Sequence, residues 1–574
     1  WYSLGGASSS MAFMATNMAT LSGLMRSLTA ELRARSCEPL TADAEDAALA
    51  LIAELHAALQ HAACRAPPLS ALPADMLTHI VSLLPVEDCV TCLLLCRSLV
   101  PAVEAGLQLR SAQPLRQPPA GWDGSRVSWL VWRERQHRAN PQALVVAAGT
   151  AHSAFVGADG VLCTCGSEEH RSRVTGLLGH GPGVTRLDRP TRVAAPERFA
   201  RVVACDTFSL ALTDGGGVYA WGYGSEGQLG LGDEDDRPTP TRIEALEGER
   251  VSAVAVGDDH ALAVTERGAL LTWGYGVDGR LGHGDGEARL LPCIVEAFVG
   301  AVRVAAVAAG RWHSLAVCER GGLYSWGNGG FGRLGHGDEE SLHVPARVAA
   351  LRHTVVTSVA AGTNHTLAVA SGGALYSWGL GARGQLGLPS ATWGEEPSME
   401  EELTVSLGIG VPEAPRPLEE QEPRSPGGRA DDGGRQVCLP TRVESGGATA
   451  REYRAVAAGA HSSFAITQDG ALFSWGACDA GQLGQGPTHH GGPYTHNDGA
   501  VQRLPARVTA LTDVRVVAVS AGSRHTLAVT DGGAVYGWGF ASPDDPRLGL
   551  GATESSSSPR RLEGLSVPCA VEGR

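Results

Sequence analysis

The sequence predicts a mainly β protein, a seven-bladed β-propeller preceded by a small α-helical domain. Two observations support this fold class. A phrase of apolar residues and glycines recurs seven times, at intervals of about fifty residues in most cases, and fifty residues suffice for the four short strands of one blade. Within every copy, one spacing of thirteen residues is constant. A single blade cannot cover its own apolar face, so seven copies are expected to close into a ring.

Each copy has a turn position that usually holds glycine, and we call the residue three positions after it the marker. The constant spacing separates this marker from a tryptophan that is followed by glycine. We expect the tryptophan to fill the space between neighbouring blades. We expect the marker histidines to hydrogen-bond backbone atoms within their own turns. The marker residues are His152, Phe208, His260, His313, His365, Ser462 and His525; the residues thirteen positions later are Cys165, Trp221, Trp273, Trp326, Trp378, Trp475 and Trp538; and a later proline follows in each copy, at Pro190, Pro240, Pro292, Pro345, Pro440, Pro505 and Pro559.

The most specific phrase, W-G-x-G-x-x-G-x-L-G-x-G, stands at 221–232, 273–284 and 326–337. On these residues the chain resembles the regulator of chromosome condensation family of propellers, from about residue 143 to the C-terminus. The phrase also contains G-x-G-x-x-G, but a dinucleotide site needs that loop to open a helix after a strand. Here it recurs and is expected to lead into strands, so we interpret it as turn chemistry.

The N-terminal third is predicted to be helical. We divide the chain into a disordered segment 1–40, a helix at 41–66, a helical module at 67–140 and the propeller at 141–574, with a disordered acidic insert at 389–436. Residues 67–140 are similar to an F-box, the module that docks onto the Skp-type adaptor of cullin ubiquitin ligases; Cys89 and Cys92 replace the usual larger aliphatics. The resemblance implies adaptor binding by Leu72, Pro73, Leu77, Ile80, Leu84, Pro85 and Cys96.

Composition excludes several function classes. The net charge of -15 opposes a general nucleic-acid or anionic-membrane binder, and no apolar run is long enough for a transmembrane helix. Thirteen scattered cysteines favour a reducing compartment, the cytoplasm or the nucleus, over a disulfide framework; an organelle transit peptide within the first thirty residues is an alternative. No spacing indicates a catalytic set, a metal site or a cofactor.

Binding is expected at the turn tips, because in a repeat fold the framework recurs and the tips differ. Arginine and tryptophan are typical of interface centres. The candidate partner-binding residues are Asp258, Asp259, Arg311, Trp312, Asn364 and Arg524.

Three functions remain open at this level. The leading hypothesis is a non-catalytic substrate receptor, in which the F-box-like module holds the ligase and the propeller holds a protein to be ubiquitinated. The alternatives are a guanine-nucleotide exchange factor for a Ran-like GTPase, as the family implies, and a scaffold. A light-sensing role would need a tryptophan cluster on the tips, where Trp312 stands alone. The chain contains no lysine, which fits a receptor that resists self-modification and equally fits codon bias.

Overall fold

A computed structural model describes residues 145–168, 176–300, 302–389, 436–444, 451–486, 501–551 and 554–567. The predictions for segments 1–40, 41–66 and 67–140 lie outside these residues, as do the seven residues assigned to adaptor binding and positions 390–435 of the acidic insert.

The described chain forms seven antiparallel sheets of four strands, so the predicted seven-bladed propeller is confirmed. Each sheet is built from four consecutive strands, and no described strand is exchanged between the first blade and the last. The first strands of the seven blades line a narrow central channel with small apolar residues. The blades are blade 1 (β1 Val146–Ala148, β2 His152–Val156, β3 Leu162–Ser167, β4 Arg186–Arg192), blade 2 (β5 Phe199–Ala204, β6 Phe208–Thr213, β7 Val218–Gly222, β8 Arg237–Arg242), blade 3 (β9 Val251–Val256, β10 His260–Thr265, β11 Leu270–Gly274, β12 Arg289–Ile294), blade 4 (β13 Val304–Ala309, β14 His313–Cys318, β15 Leu323–Gly327, β16 Leu342–Arg347), blade 5 (β17 Val356–Ala361, β18 His365–Ala370, β19 Leu375–Leu380, β20 Gln436–Arg442), blade 6 (β21 Tyr453–Ala458, β22 Ser462–Thr467, β23 Leu472–Ala477, β24 Val501–Arg507) and blade 7 (β25 Val516–Ala521, β26 His525–Thr530, β27 Ala534–Gly539, β28 Ser556–Ser566).

Helical structure within the described ranges is limited to single 3-10 turns. They are Glu244–Leu246, Val277–Gly279, Glu296–Phe298, Gly330–Gly332, Ala349–Leu351 and Thr509–Leu511. Among the described residues, none of the helices has the length and apolarity needed to cross a bilayer.

The constant spacing in the sequence is the register of a β-hairpin. Each marker residue opens the second strand of its blade and lies opposite the glycine that follows the tryptophan, as His260 does with Gly274 and His313 with Gly327. The hairpin therefore fixes the distance along the chain between the two positions.

The tryptophans fill the spaces between blades, as predicted. All six are fully buried. Trp326 of blade 4 packs into a core cluster whose other members include Leu262 and Phe298 of the preceding blade region. Its indole N–H donates to the carbonyl of Arg280 in blade 3 at 2.9 Å. The one polar group of the ring is therefore hydrogen-bonded across the boundary between two neighbouring blades, which we call the seam.

The prediction for the marker histidines is wrong. In each case Nε2 lies 2.9 Å from a serine or threonine hydroxyl of the next blade, and not from backbone of its own turn. Within the turn, the backbone amide of Gly257 donates to the backbone carbonyl of His260 at 2.8 Å. The turn therefore needs no hydrogen bond from the imidazole, which contacts the next blade instead. The pairs are His152–Ser209, His260–Ser314, His313–Thr366, His365–Ser463 and His525–Ser153.

Candidate protein-binding face

The turns between the first and second strands share one face with the loops that follow the third strands. The amide of Tyr275, just after β11, donates to the carbonyl of Asp259 in the turn at 2.8 Å. The Asn328 amide donates to the Trp312 carbonyl at 3.0 Å in the same way. We call this the tip face, and it carries all six candidate residues of the propeller.

Three of the candidates meet on blades 3 and 4. Arg311 Nε lies 2.7 Å from Asp258 Oδ2, with 38% of the arginine side chain and 15% of the aspartate side chain exposed. The Arg311 guanidinium also lies 5.1 Å from the centre of the Trp312 ring. Trp312 is half-buried. The ion pair thus fixes the guanidinium that covers one part of the indole.

A residue that the sequence did not single out supports the same indole. Arg280 is fully buried, and its guanidinium lies 4.8 Å from the Trp312 ring centre and 5.1 Å from that of Tyr275. Burial lowers the pKa of Arg280, while the carboxylates of Asp278 and Asp259 act in the opposite direction. Trp312 therefore contacts two guanidiniums, which restricts its rotation and leaves part of its surface open to a partner.

Asp259 adjoins Asp258 in the same turn, and the two remaining candidates lie apart from this cluster. Asn364 is half-buried on blade 5, where its carbonyl accepts the Leu380 amide at 2.8 Å. Arg524 is exposed on blade 7, with its guanidinium 5.8 Å from the Phe540 ring centre. The six candidates therefore occupy blades 3, 4, 5 and 7 of one face, and Asp258, Arg311 and Trp312 are joined by direct contacts.

Arg280 belongs to a position that holds either glutamine or arginine in blades 2 to 7. Arg333 occupies it in blade 4, where burial lowers its pKa to about 10 and its guanidinium lies 5.6 Å from the Phe331 ring centre. Phe331 and Asp278 are the two non-glycine residues among those described with a φ of 60°. A bulky side chain in this conformation is strained, and such strain is concentrated at functional sites.

The glycine-rich phrases are structural, as expected. After β7, β11 and β15 they lead into the outer strands β8, β12 and β16, so no α-helix N-terminus is present at these loops to receive a pyrophosphate.

The fold and the tip face define a protein-interaction module of the propeller class. A family model for the RCC1-like domain matches residues 125–426, and one for the regulator of chromosome condensation (RCC1) repeat matches residues 469–529. The chain belongs to this family of RCC1-like propellers.

Its relatives include proteins with different roles. It is 34% identical over 430 residues to the ultraviolet-B receptor UVR8 of Arabidopsis thaliana, covering 74% of this chain and 83% of the relative. It is 31% identical over 400 residues to the human E3 ubiquitin-protein ligase HERC2, covering 69% of this chain but only 7% of that protein. The solved structure of Prp20p from Saccharomyces cerevisiae matches 70% of this chain and 83% of its own with a TM-score of 0.52; at 24% identity the likeness is one of fold.

Proposed function

We propose that the chain is the target-binding subunit of an F-box-type ubiquitin ligase. The tip face holds the protein to be ubiquitinated, and residues 67–140 hold the Skp-type adaptor. The observation that carries the first half is Trp312, a half-exposed tryptophan kept in place by Arg280 and Arg311.

A tryptophan in this setting is suited to protein binding. Indoles supply a large contact area and recur at the centres of interfaces. Because the ring is already held by two guanidiniums, little rotational freedom remains to be lost when a partner binds, and that loss is a main cost of association. The Asp258 carboxylate and the Arg311 guanidinium beside it can pair with polar groups at the edge of the contact.

The ligase half is supported by sequence. The F-box resemblance includes Leu72, Pro73, Leu77, Ile80 and Pro85. HERC2, a relative over the propeller region, is named an E3 ubiquitin-protein ligase, although this chain spans only 7% of it. A chain without lysine also offers no side-chain amine to the ligase that it would serve.

The two halves can be separated in one experiment. Tagged full-length chain is purified from cells with its partners, which are identified by mass spectrometry. Leu72→Arg with Ile80→Arg should abolish adaptor and cullin recovery and leave propeller partners bound. Trp312→Ala should do the reverse, while Leu504→Ala, at a 44% exposed leucine on an outer strand, should change neither. Adaptor recovery that survives the double arginine variant would refute the ligase assignment.

The alternatives predict other results. An exchange factor should accelerate nucleotide release from a Ran-like GTPase, and the double arginine variant should retain that activity. Light reception is the role named for the plant relative. The seven described tips carry one tryptophan, Trp312, and this favours protein binding. Acceleration of nucleotide release would replace our proposal with the exchange-factor function.

A further inference from the structure

Blade 4 carries a second distinctive surface, at the end of the blades opposite the tip face. Arg320 lies in the turn between β14 and β15, Arg347 ends β16, and Arg352 follows in the connection to blade 5. Arg347 lies beside Gly322 of the turn, and its Nη2 donates to the Arg352 carbonyl at 2.9 Å. We call Arg320, Arg347 and Arg352 the blade-4 basic patch; all three are exposed.

Comparison with other blades shows that the combination of these three arginines is particular to blade 4. The position of Arg320 holds Gly215 in blade 2 and Asp469 in blade 6. Blade 3 has Arg267 at this position, but Ile294 and Val299 at the positions of Arg347 and Arg352. The position of Arg352 holds Glu247 in blade 2 and Thr512 in blade 6. Since repeats share a framework and differ where they bind, the meeting of three arginines at these positions marks this blade.

Among the residues that the structure describes, the patch also lacks acidic partners. Within the described ranges, no carboxylate oxygen lies within 4.0 Å of the three guanidiniums, although Glu319 precedes Arg320 in the chain. By contrast, the half-buried Arg289 of blade 3 is paired with Asp285 at 2.7 Å. The chain has 61 acidic residues and a net charge of -15, yet none of the described carboxylates pairs with this cluster of cations.

An apolar contact lies beside the charges. Val355 is 40% exposed in the connection to blade 5, and it packs against Gly321 of the turn that carries Arg320. Arg352 Nε also donates to His353 Nε2 at 2.8 Å, which orients its guanidinium at this surface. Cations around one exposed valine form a surface for a short segment with carboxylates on either side of an apolar residue.

We propose that the blade-4 basic patch is a docking site for an acidic segment of a partner protein. Carboxylates pair with the guanidiniums, which bind them in a two-pronged geometry, and an apolar side chain covers Val355. A short segment suits this surface better than a nucleic acid or a membrane. Charges are screened within about 8 Å at physiological salt, so a short segment senses only the patch, whereas an extended polyanion meets the surrounding negative charge. The site leaves the tip face free, so one propeller can hold two proteins.

The probe for this proposal is a fluorescein-labelled peptide of six glutamates around a central leucine, followed by fluorescence polarisation with the full chain. We expect binding that weakens as salt is raised. Arg320→Glu, Arg347→Glu and Arg352→Glu together should weaken it at least tenfold. The matched control reverses three exposed arginines at the Arg347 position of other blades, Arg242→Glu, Arg507→Glu and Arg561→Glu, and should retain most of the affinity.

Several results would overturn the proposal: no peptide binding, equal weakening in both triple variants, equal binding of a glutamine version of the peptide, or tighter binding of duplex DNA or of phosphatidylserine vesicles. Unfolding midpoints of all variants are compared first. If the charge reversals unfold the chain, Arg320→Gln with Arg352→Gln removes two charges without adding repulsion and must still weaken binding. Failure of this test leaves the tip-face function untouched, because the two surfaces share no residue.

Discussion

The Nε2 atom of His525, in the last blade, lies 2.9 Å from the hydroxyl oxygen of Ser153, in the first. Ser153 donates its own proton to the Arg547 carbonyl at 2.7 Å, so it must accept from His525 Nε2–H. The relay places a proton on Nε2, and burial holds the pKa of His525 well below its usual value, so the imidazole is neutral with its proton on that nitrogen. Since no described strand crosses this seam, side-chain and loop contacts of this kind close the ring.

Removing the relay at the closing seam should destabilise the propeller. Ser153→Ala leaves the buried His525 N–H without an acceptor, which costs about 1–3 kcal/mol. We expect a loss of that size in the free energy of unfolding, measured by urea denaturation. Ser462→Ala is the control, because the buried Ser462 hydroxyl has no hydrogen bond within the described structure. Its removal should be neutral or slightly stabilising. Equal losses in both variants would show that the relay contributes nothing specific.

The buried histidines predict a pH dependence of stability. Burial, with smaller contributions from Arg547 and His461 respectively, lowers the pKa of His152 and His365 to about 3. Their folded-state pKa lies below the unfolded value of about 6.5, so below that pH the unfolded chain takes up protons that the folded chain does not. Stability should fall as the pH is lowered from about 6.5 toward 3. Each of the two histidines should account for a loss of about 2 kcal/mol between pH 7 and pH 5.

Blade 2 supplies the variant that tests this. Its marker position holds Phe208, and the facing residue of blade 3 is Ala261; both are fully buried in one core cluster. His152→Phe with Ser209→Ala copies this apolar pair into the seam between blades 1 and 2. The loss of stability between pH 7 and pH 5 should shrink by about 2 kcal/mol. An unchanged pH profile from urea titrations would contradict the assignment.

The same pair shows what the sequence could reveal. The repeat number, the strand pattern and the inter-blade tryptophans were predictable because each follows from spacing within one repeat. The partner of the marker histidine was not predicted, because it lies one repeat further along. A signal exists: serine or threonine follows the marker position in every blade except blade 3, where Ala261 follows His260 and the preceding marker is Phe208.

The support of Trp312 was harder to foresee. Its tip position and chemistry could be read from the repeats. Arg280 lies in a glycine-rich loop, where an arginine is ordinarily expected to be solvated, and only the fold places it under the indole of the next blade. The burial of such a residue depends on contacts across a seam, and local sequence does not encode them.

A glycine of the recurrent phrase should be irreplaceable for reasons of space. A Cβ at Gly329 would lie 1.9 Å from the carbonyl oxygen of Glu340, although its φ of -88° suits any residue. Gly329→Ala must displace that backbone, and overpacking of this kind typically costs about 1–3 kcal/mol. At Gly372 a Cβ would meet nothing within 4 Å, so Gly372→Ala should be neutral or stabilising. Thermal unfolding of the two variants checks the difference, and similar Tm values would show that the loop adjusts freely.

The last blade carries a buried ion pair whose partners should depend on each other. Arg547 is fully buried; its Nε lies 2.9 Å from Asp545 Oδ1, and Nη1 donates to the Thr150 carbonyl of blade 1. Burial lowers the pKa of Arg547 to about 9, which still leaves it charged at neutral pH. Asp545→Asn should therefore cost about 3–5 kcal/mol, because it leaves a buried cation without its counter-charge.

Glutamine is the natural replacement for Arg547, since Gln228, Gln385 and Gln482 occupy the same position in blades 2, 5 and 6. In those blades the side-chain oxygen accepts a loop amide, as Gln482 accepts that of Ala480 at 2.8 Å. Asp545→Asn with Arg547→Gln should accordingly recover most of the loss, giving a coupling free energy above 1 kcal/mol in a double-mutant cycle. Additive losses would mean that the arginine acts through its bond to Thr150 across the closing seam, and that the carboxylate beside it is dispensable.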